Sequence, residues 1–323
     1  MSTSKATRRK VLNLSTVLKL FVTQMEIEGK SPYTTTWYGH RVNRLIAFVG
    51  DKPVSDLALD DAERFVLHLT RRGKYPDHPT QKQREEPIAR ATLRNYVRAI
   101  RGFSTFLFDQ GYTDANVFQR LKMPRDEVRV IEILSDTEIK ALYDQITPNS
   151  QIGSRLFLMV TLLLDTGMRL GEMAGIKLDD IDFQRTRIKV TGKGRKQRFV
   201  PFGSTTAKAL LKYINQYRGD SWSDQLLLNL DGEPMSMQAM MQAIKRLGHR
   251  AEVPRLHAHL CRHTFAVKWL RNKGDLFTLQ TVLGHEDLTI TRMYVHLAQV
   301  DIDVQHRAVS PVDRLGIGGK LRK

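Results

Sequence analysis

The chain of 323 residues has one cysteine, Cys261, so it cannot close a disulfide within itself, and the stapled framework of a small secreted protein is excluded. A reducing cytoplasm fits. Long apolar runs are missing too: the longest, LFLMVTLLL from Leu156 to Leu164, is well short of the ~20 residues a membrane span requires. The opening MSTSKATRRKVLNL lacks the apolar core of a secretory leader. The third shortage is of acidic residues. Against 51 Lys and Arg stand 34 Asp and Glu, a formal net charge of +17. An enzyme of small metabolites has little use for that excess, and with no membrane segment the expected partner is nucleic acid, close to the nucleoid.

What is present suffices for two domains, and a hydrophobic content of 41% excludes wholesale disorder. Leu14, Val17, Leu18, Phe21 and Met25 recur at helical spacing, and a second amphipathic helix from Ser31-Pro32 carries Trp37, Leu45 and Phe48. The polar stretch from Arg71 to Pro87 reads as a loop that orders on a partner. In the helix after it, Arg90, Arg94, Arg98 and Arg101 fall within an arc of ~80°, apart from the apolar arc of Leu93, Tyr96, Val97, Ile100, Phe103 and Leu107. Asp109 is the only acidic residue between Ala89 and Gly111, so these guanidiniums read as contacts to a phosphate backbone.

A proline and mixed charges interrupt the helical pattern between Leu121 and Leu134. The expected organisation is a helical DNA-binding domain over 1–120, a linker over 121–134, a second domain over 135–300 and a tail over 301–323. Ser135 and Glu138 have capping-box spacing at the start of the second domain. Between Ile181 and Phe202, alternating residues such as Ile188 and Val190, then Phe199, flank the turn TGKGRK as a hairpin requires, with Lys193, Arg195 and Lys196 crowding its tip. Ala207–Tyr217 and Gln238–Leu247 read as helices. The class is mainly α with a small antiparallel sheet.

Four stretches could carry chemistry, and each has an ordinary explanation alone: Tyr294, nine residues after His285, reads by itself as packing or surface decoration. Arg169 and Glu172 have the spacing of a helix-surface ion pair. TGKGRK lacks the residues of a phosphate-binding P-loop. His259 and His263 stand four apart, but Leu260 occupies the place where a zinc protease has its glutamate, and Arg262 between them favours an anion. Together they fit one substrate, a phosphodiester. Two arginines bracket its oxygens, imidazoles hydrogen-bond them, a lysine protonates the departing oxygen, and Tyr294 attacks.

In order along the chain, TGMRLGE, TGKGRKQRFVP, HLCRHTFA and LGHEDLTITRMY resemble the motifs of the tyrosine recombinase (phage integrase) family, and the likeness covers nearly the whole length. The chain is most similar to the compact two-domain members, Xer-type or transposon-borne, since only about a dozen residues precede the first helix. The resemblance implies a helical core-binding domain and an α+β catalytic domain that clamp double-stranded DNA. It implies that Arg169 and Arg262 hold the scissile phosphate, His259 and His285 assist, Lys193 is the general acid, Glu172 and His263 give support, and Tyr294 forms a 3′-phosphotyrosyl bond. No metal, ATP or other cofactor is implied. A monomer in solution would become a tetramer on DNA, pass through a Holliday junction, and use its tail, with Leu315 and Ile317 as an apolar anchor, to dock on a neighbour. Accessory proteins are conceivable partners. Cys261 stands where the family more often has leucine, a small apolar exchange expected to change packing alone, with a thiol that nearby positive charge would make prone to oxidation. The alternatives are relaxation of the type IB topoisomerase kind, or a catalytically silent DNA-binding regulator.

Overall fold

Helix α1 (Leu14–Ile27) buries Leu14, Val17, Leu18, Phe21 and Met25, the stripe read from the sequence. Helix α2 (Pro32–Val49) starts where Ser31 accepts a hydrogen bond from the Thr34 amide and Pro32 presets the first turn. In this computed structural model the described residues are 12–71, 73–74, 84–125, 131–285, 291, 293–295, 306 and 310–315. They form two units, Met1–Arg129 and Val130–Lys323. The segment expected as a linker feeds both cores, Leu121 the first and Leu134 the second.

One expectation for α2 needs correction. Its buried residues are Thr35, Val42, Leu45 and Ile46. Trp37 and Phe48 lie roughly 120° away on the helical wheel, on a face of their own. There Trp37 stacks under the Arg41 guanidinium at 4.0 Å and the half-open Phe48 ring packs on Phe65. Helix α3 (Leu59–Arg71) leads to a short antiparallel ribbon, β1 (Gly73–Lys74) with β2 (Arg84–Pro87). The sequence read this region as loop throughout, because charged residues show no apolar alternation and the backbone carries the pairing. Residues 75–83 lie outside the described set. Helix α4 (Arg90–Asp109) then buries Leu93, Val97, Ile100, Phe103 and Leu107, while Arg98 is exposed and Arg94 donates to the Pro124 carbonyl at 3.0 Å.

In the second unit, α5 (Asp136–Asp144) begins with the expected capping box between Ser135 and Glu138. Helix α6 (Gln151–Thr166) is apolar nearly all round, so neighbours cover it: α8 (Ser204–Lys212, continued by a π-helical turn to Tyr217) and α10 (Ala258–Arg271). Helices α7 (Leu170–Ala174), α9 (Met237–Arg250) and α11 (Leu276–Leu283) complete the core around a sheet ordered β3 (Ile181–Asp182), β4 (Arg187–Thr191), β5 (Gln197–Pro201). The architecture is the expected one, mainly helical with a small antiparallel sheet.

The hairpin register corrects a second expectation. Ile188 faces Val200 and Val190 faces Arg198, so these four share the inner face, whereas Phe199 pairs with Lys189 on the outer face and takes Arg187 over its ring. A slip of one residue reverses a strand's faces. Grouping Phe199 with the alternating Ile188 and Val190 passed over the arginine that faces inward. A final turn, α12 (Pro311–Arg314), leaves Leu315 70% exposed, and Ile317 is outside the described residues.

Candidate active site

The site starts where α6 stops. Gly167 takes the left-handed conformation, φ +60°, and a Cβ there would sit 2.3 Å from the Phe265 ring, so both backbone and space demand glycine. Two residues on, Arg169 occupies the N-cap of α7, and its amide donates to Glu172 Oε2 at 2.8 Å. Arg169 Nη1 and Arg198 Nη1 donate to Glu172 Oε1 at 2.9 and 2.8 Å, and Arg198 Nη2 donates to Oε2 at 2.9 Å. Burial by itself would raise the Glu172 pKa, but the hydrogen bonds from Arg198 and from the Arg169 amide outweigh it and hold the carboxyl below its usual range.

Arg198 does more than neutralise Glu172. Its Nε donates to the Val282 carbonyl at 2.8 Å, tying β5 to the end of α11. Gly284, at φ +64°, closes over this guanidinium so tightly that a Cβ would lie 3.0 Å from Nε. One arginine therefore joins α7, the hairpin and the turn that presents His285.

Arg262, on α10, is 3% exposed. Its Nη1 donates to the Gly167 carbonyl at 2.6 Å, and its Nη2 donates to the Leu283 carbonyl and to His285 Nε2, both at 2.8 Å. Three of the five N–H donors are thus committed, and two are left for an anion. Burial, then repulsion from Arg169, lowers its pKa to about 10, so it stays charged at neutral pH. Because a guanidinium only donates, His285 Nε2 must accept, which puts the ring proton on Nδ1, in position to donate to Thr291 Oγ1 at 2.9 Å. The imidazole is neutral: burial, then Arg262, Arg169 and Arg198, push its pKa down to about 4.

Tyr294 is 2% exposed, and its hydroxyl lies 2.8 Å from His263 Nδ1. The His285 ring stacks against it with centroids 6.4 Å apart, and His259 stacks on His263 at the same separation. Burial raises the phenol pKa, while the charges of Arg262 and Arg169 oppose the rise. A cavity of about 510 Å³ is lined by Arg169, Glu172, Gly192 and His259, together with Met237 and Met241.

Of the candidates from sequence, Arg169, Glu172, His259, Arg262, His263, His285 and Tyr294 share this region. Lys193 lies in the 3₁₀ turn Lys193–Arg195 between β4 and β5, and its side chain is outside the described set. Arg195, at φ +60°, and Lys196 are exposed at the same tip. Arg90, Arg94, Arg98 and Arg101 belong to the other unit. For Cys261 the packing reading stands and the oxidation-prone thiol is corrected. It is buried, and burial pushes its thiol up to about 12, so it is a packing residue with almost no thiolate to oxidise. Arg198 and Thr291 were missed.

The sequence profile of the phage integrase family matches residues 132–300. Similar curated proteins include tyrosine recombinase XerC of Bacillus subtilis (strain 168), 29% identical over 298 residues, which cover 89% of this chain and 93% of that one. XerC of Anoxybacillus flavithermus (strain DSM 21510 / WK1) is 30% identical over 298 residues, covering 89% and 95%. The fold resembles that of the XerH site-specific recombinase in a post-cleavage complex with a palindromic difH substrate. There the TM-score is 0.68 at 19% identity, over 93% of this chain and 85% of that one.

Proposed function

The chain belongs to the phage integrase family and is a tyrosine recombinase acting on double-stranded DNA; on that premise we propose that Tyr294 is the nucleophile of a strand exchange needing neither metal nor ATP. The observation that carries this reading is the junction of a buried phenol with two arginines of different standing. Arg262 is pinned from behind by two carbonyls and His285, and Arg169 is anchored through Glu172 at the mouth of the cavity. Fixed guanidiniums of this kind stabilise the extra negative charge of a pentacoordinate phosphate with little reorganisation.

In this scheme Arg169 and Arg262 hold the non-bridging oxygens of the scissile phosphate, and His259 hydrogen-bonds the same group. Glu172 and Arg198 keep Arg169 in place, and His285 fixes the plane of Arg262. Tyr294 attacks, the 5′ oxygen leaves with a proton from Lys193, and the 3′-phosphotyrosyl bond keeps the energy of the diester until a 5′-hydroxyl from a partner strand reseals it. Four protomers on two duplexes would exchange strands through a Holliday junction, with α4 gripping the phosphate track and the hairpin tip, Arg195 and Lys196, close to DNA.

The test is a nicked suicide duplex carrying a site selected by this protein from randomised DNA. A covalent adduct that resists SDS with the natural chain and vanishes in Tyr294→Phe is the expected result. Binding with no adduct would transfer the assignment to a silent regulator. Strand transfer between two duplexes distinguishes recombination from simple relaxation.

A further inference from the structure

A phenol that attacks phosphorus must lose its proton, and the roles above name no acceptor for it. Among the described residues the Tyr294 hydroxyl has one hydrogen-bond partner, His263 Nδ1, at 2.8 Å. His285 is closed to the task, because its Nε2 accepts from Arg262 and its Nδ1 carries the proton turned toward Thr291. His259 stacks on the His263 ring, with centroids 6.4 Å apart, and no hydrogen bond joins it to the phenol oxygen among the described residues. We propose that His263 is the general base of the reaction, taking the Tyr294 proton as the bond to phosphorus forms and returning it on resealing. This deepens the recombinase reading and rests on Tyr294 being the nucleophile.

The step balances. The Oη–H bond of Tyr294 breaks and its proton passes to the Nδ1 lone pair of His263. The Oη–P bond forms, the P–O5′ bond breaks, and its electron pair stays on O5′, which gains a proton from the general acid. Resealing runs the same transfers backward, so no net proton is consumed.

The surroundings suit a base that acts only during attack. Tyr294 from the C-terminal segment and His259 from its own helix pack on the His263 ring, and the charges of His259, of His257 at that helix's N-cap and of Arg262 act on it. Burial first, then these positive or titratable neighbours, lower its pKa, so the ring is neutral and its lone pair is available at neutral pH. Full transfer before attack is strongly uphill, since the phenol is raised while the imidazole is lowered. As the Oη–P bond grows the phenol becomes acidic, and the proton crosses a hydrogen bond already made.

The experiment is single-turnover adduct formation on the suicide duplex, against pH, for the natural chain, His263→Asn and His263→Ala. Asparagine places an oxygen close to the Nδ1 position but accepts no proton, so it preserves the contact and removes the base. The expected result is a loss of about 10²–10⁴-fold in both variants with DNA affinity retained. The natural chain should lose rate only as pH falls below the His263 pKa, whereas the variants should gain tenfold per pH unit across neutrality, and added imidazole should accelerate His263→Ala. Natural speed in His263→Asn overturns the proposal. So does a slow variant whose pH profile is unchanged and which imidazole does not help, since that would make His263 a mere prop. If the variants do not fold, the natural chain still decides: a rate that keeps rising tenfold per unit from pH 6 to 9 rules out an imidazole base. Absence of any Tyr294-dependent adduct from the natural chain would instead strike the underlying assignment of the nucleophile.

Discussion

Helices α4 and α10 both carry several cationic side chains, and they use them in opposite ways. Helix α4 separates its faces: apolar residues go inward, and arginines are set along the rim, with Arg98 exposed. Helix α10 buries Arg262 among Leu260, Cys261 and Phe265, and has little amphipathic separation. The difference reflects two tasks. Gripping a polyanion needs charge at the surface, where counterion release supplies the free energy and each contact is replaceable. Stabilising a transition state needs a cation whose orientation is set beforehand, and the buried carbonyls and neutral imidazole around Arg262 do this without cancelling its charge.

The comparison breaks most sharply at Arg262. Arg262→Lys keeps the charge but cannot bond the Gly167 and Leu283 carbonyls and His285 together. Adduct formation should fall by about 10²–10³-fold. Stability should fall by about 2 kcal/mol, because at least one buried carbonyl loses its donor. Suicide-duplex kinetics and urea midpoints check both numbers, and a lysine variant at natural speed would show that charge alone suffices.

Arg198→Lys is the next test. A lysine cannot span both Glu172 oxygens and the Val282 carbonyl, so Arg169 and the His285 turn should both loosen. A loss of about 10–100-fold in cleavage is expected, with DNA affinity little changed. Gly284→Ala, which crowds the same guanidinium and forces a side chain into a positive-φ position, should act in the same direction. If Arg198→Lys cleaves normally, Glu172 needs only its bonds to Arg169.

Why Arg198 escaped the sequence reading is instructive. Arg169, Glu172, Arg262 and Tyr294 stand in short local motifs whose resemblance to a known family was visible from residue types alone. Arg198 stands among Lys193, Arg195 and Lys196, where one more cation looks like one more surface charge. Its signal was the strand alternation: it is two residues from the inward Val200, so it occupies a core-facing position and must have a buried partner. Grouping Phe199 with Ile188 and Val190 passed over that clue. The helices were readable for the converse reason, since stripes such as Leu14 to Met25 repeat over several turns and one misjudged residue does not shift them. The β1–β2 ribbon had no side-chain pattern to read.

A pH series probes the buried side of the comparison. His285 titrates near 4 in the folded chain against an ordinary 6.5. Below 6.5 the unfolded chain takes up the proton first, so this contribution is complete above 6.5 and is lost as pH falls toward 4. His259 and His263 are lowered as well, by burial first, and add in the same sense. For His285 the loss should be on the order of 2 kcal/mol, after discounting the full shift for partial solvent access. Urea midpoints between pH 7 and 4 should fall less steeply in His285→Gln; equal slopes would mean that His285 is not the buried neutral group.

The smallest expected effect lies on the exposed side, and it is the more discriminating for that. Arg94 donates to the Pro124 carbonyl, so removing it disturbs the unit's own structure as well as any phosphate contact. Arg98 is exposed, and Arg98→Ala is the cleaner change. If it meets a phosphate, the slope of log affinity against log salt should flatten by about 0.9. Cleavage from saturated complex should stay at the natural rate, because a contact that only grips the backbone acts on binding alone. An unchanged salt slope would remove α4 from the DNA-gripping surface. A flattened slope with slower chemistry at saturation would break the division itself, since an arginine of α4 would then be positioning the scissile phosphate, a task here given to Arg169 and Arg262.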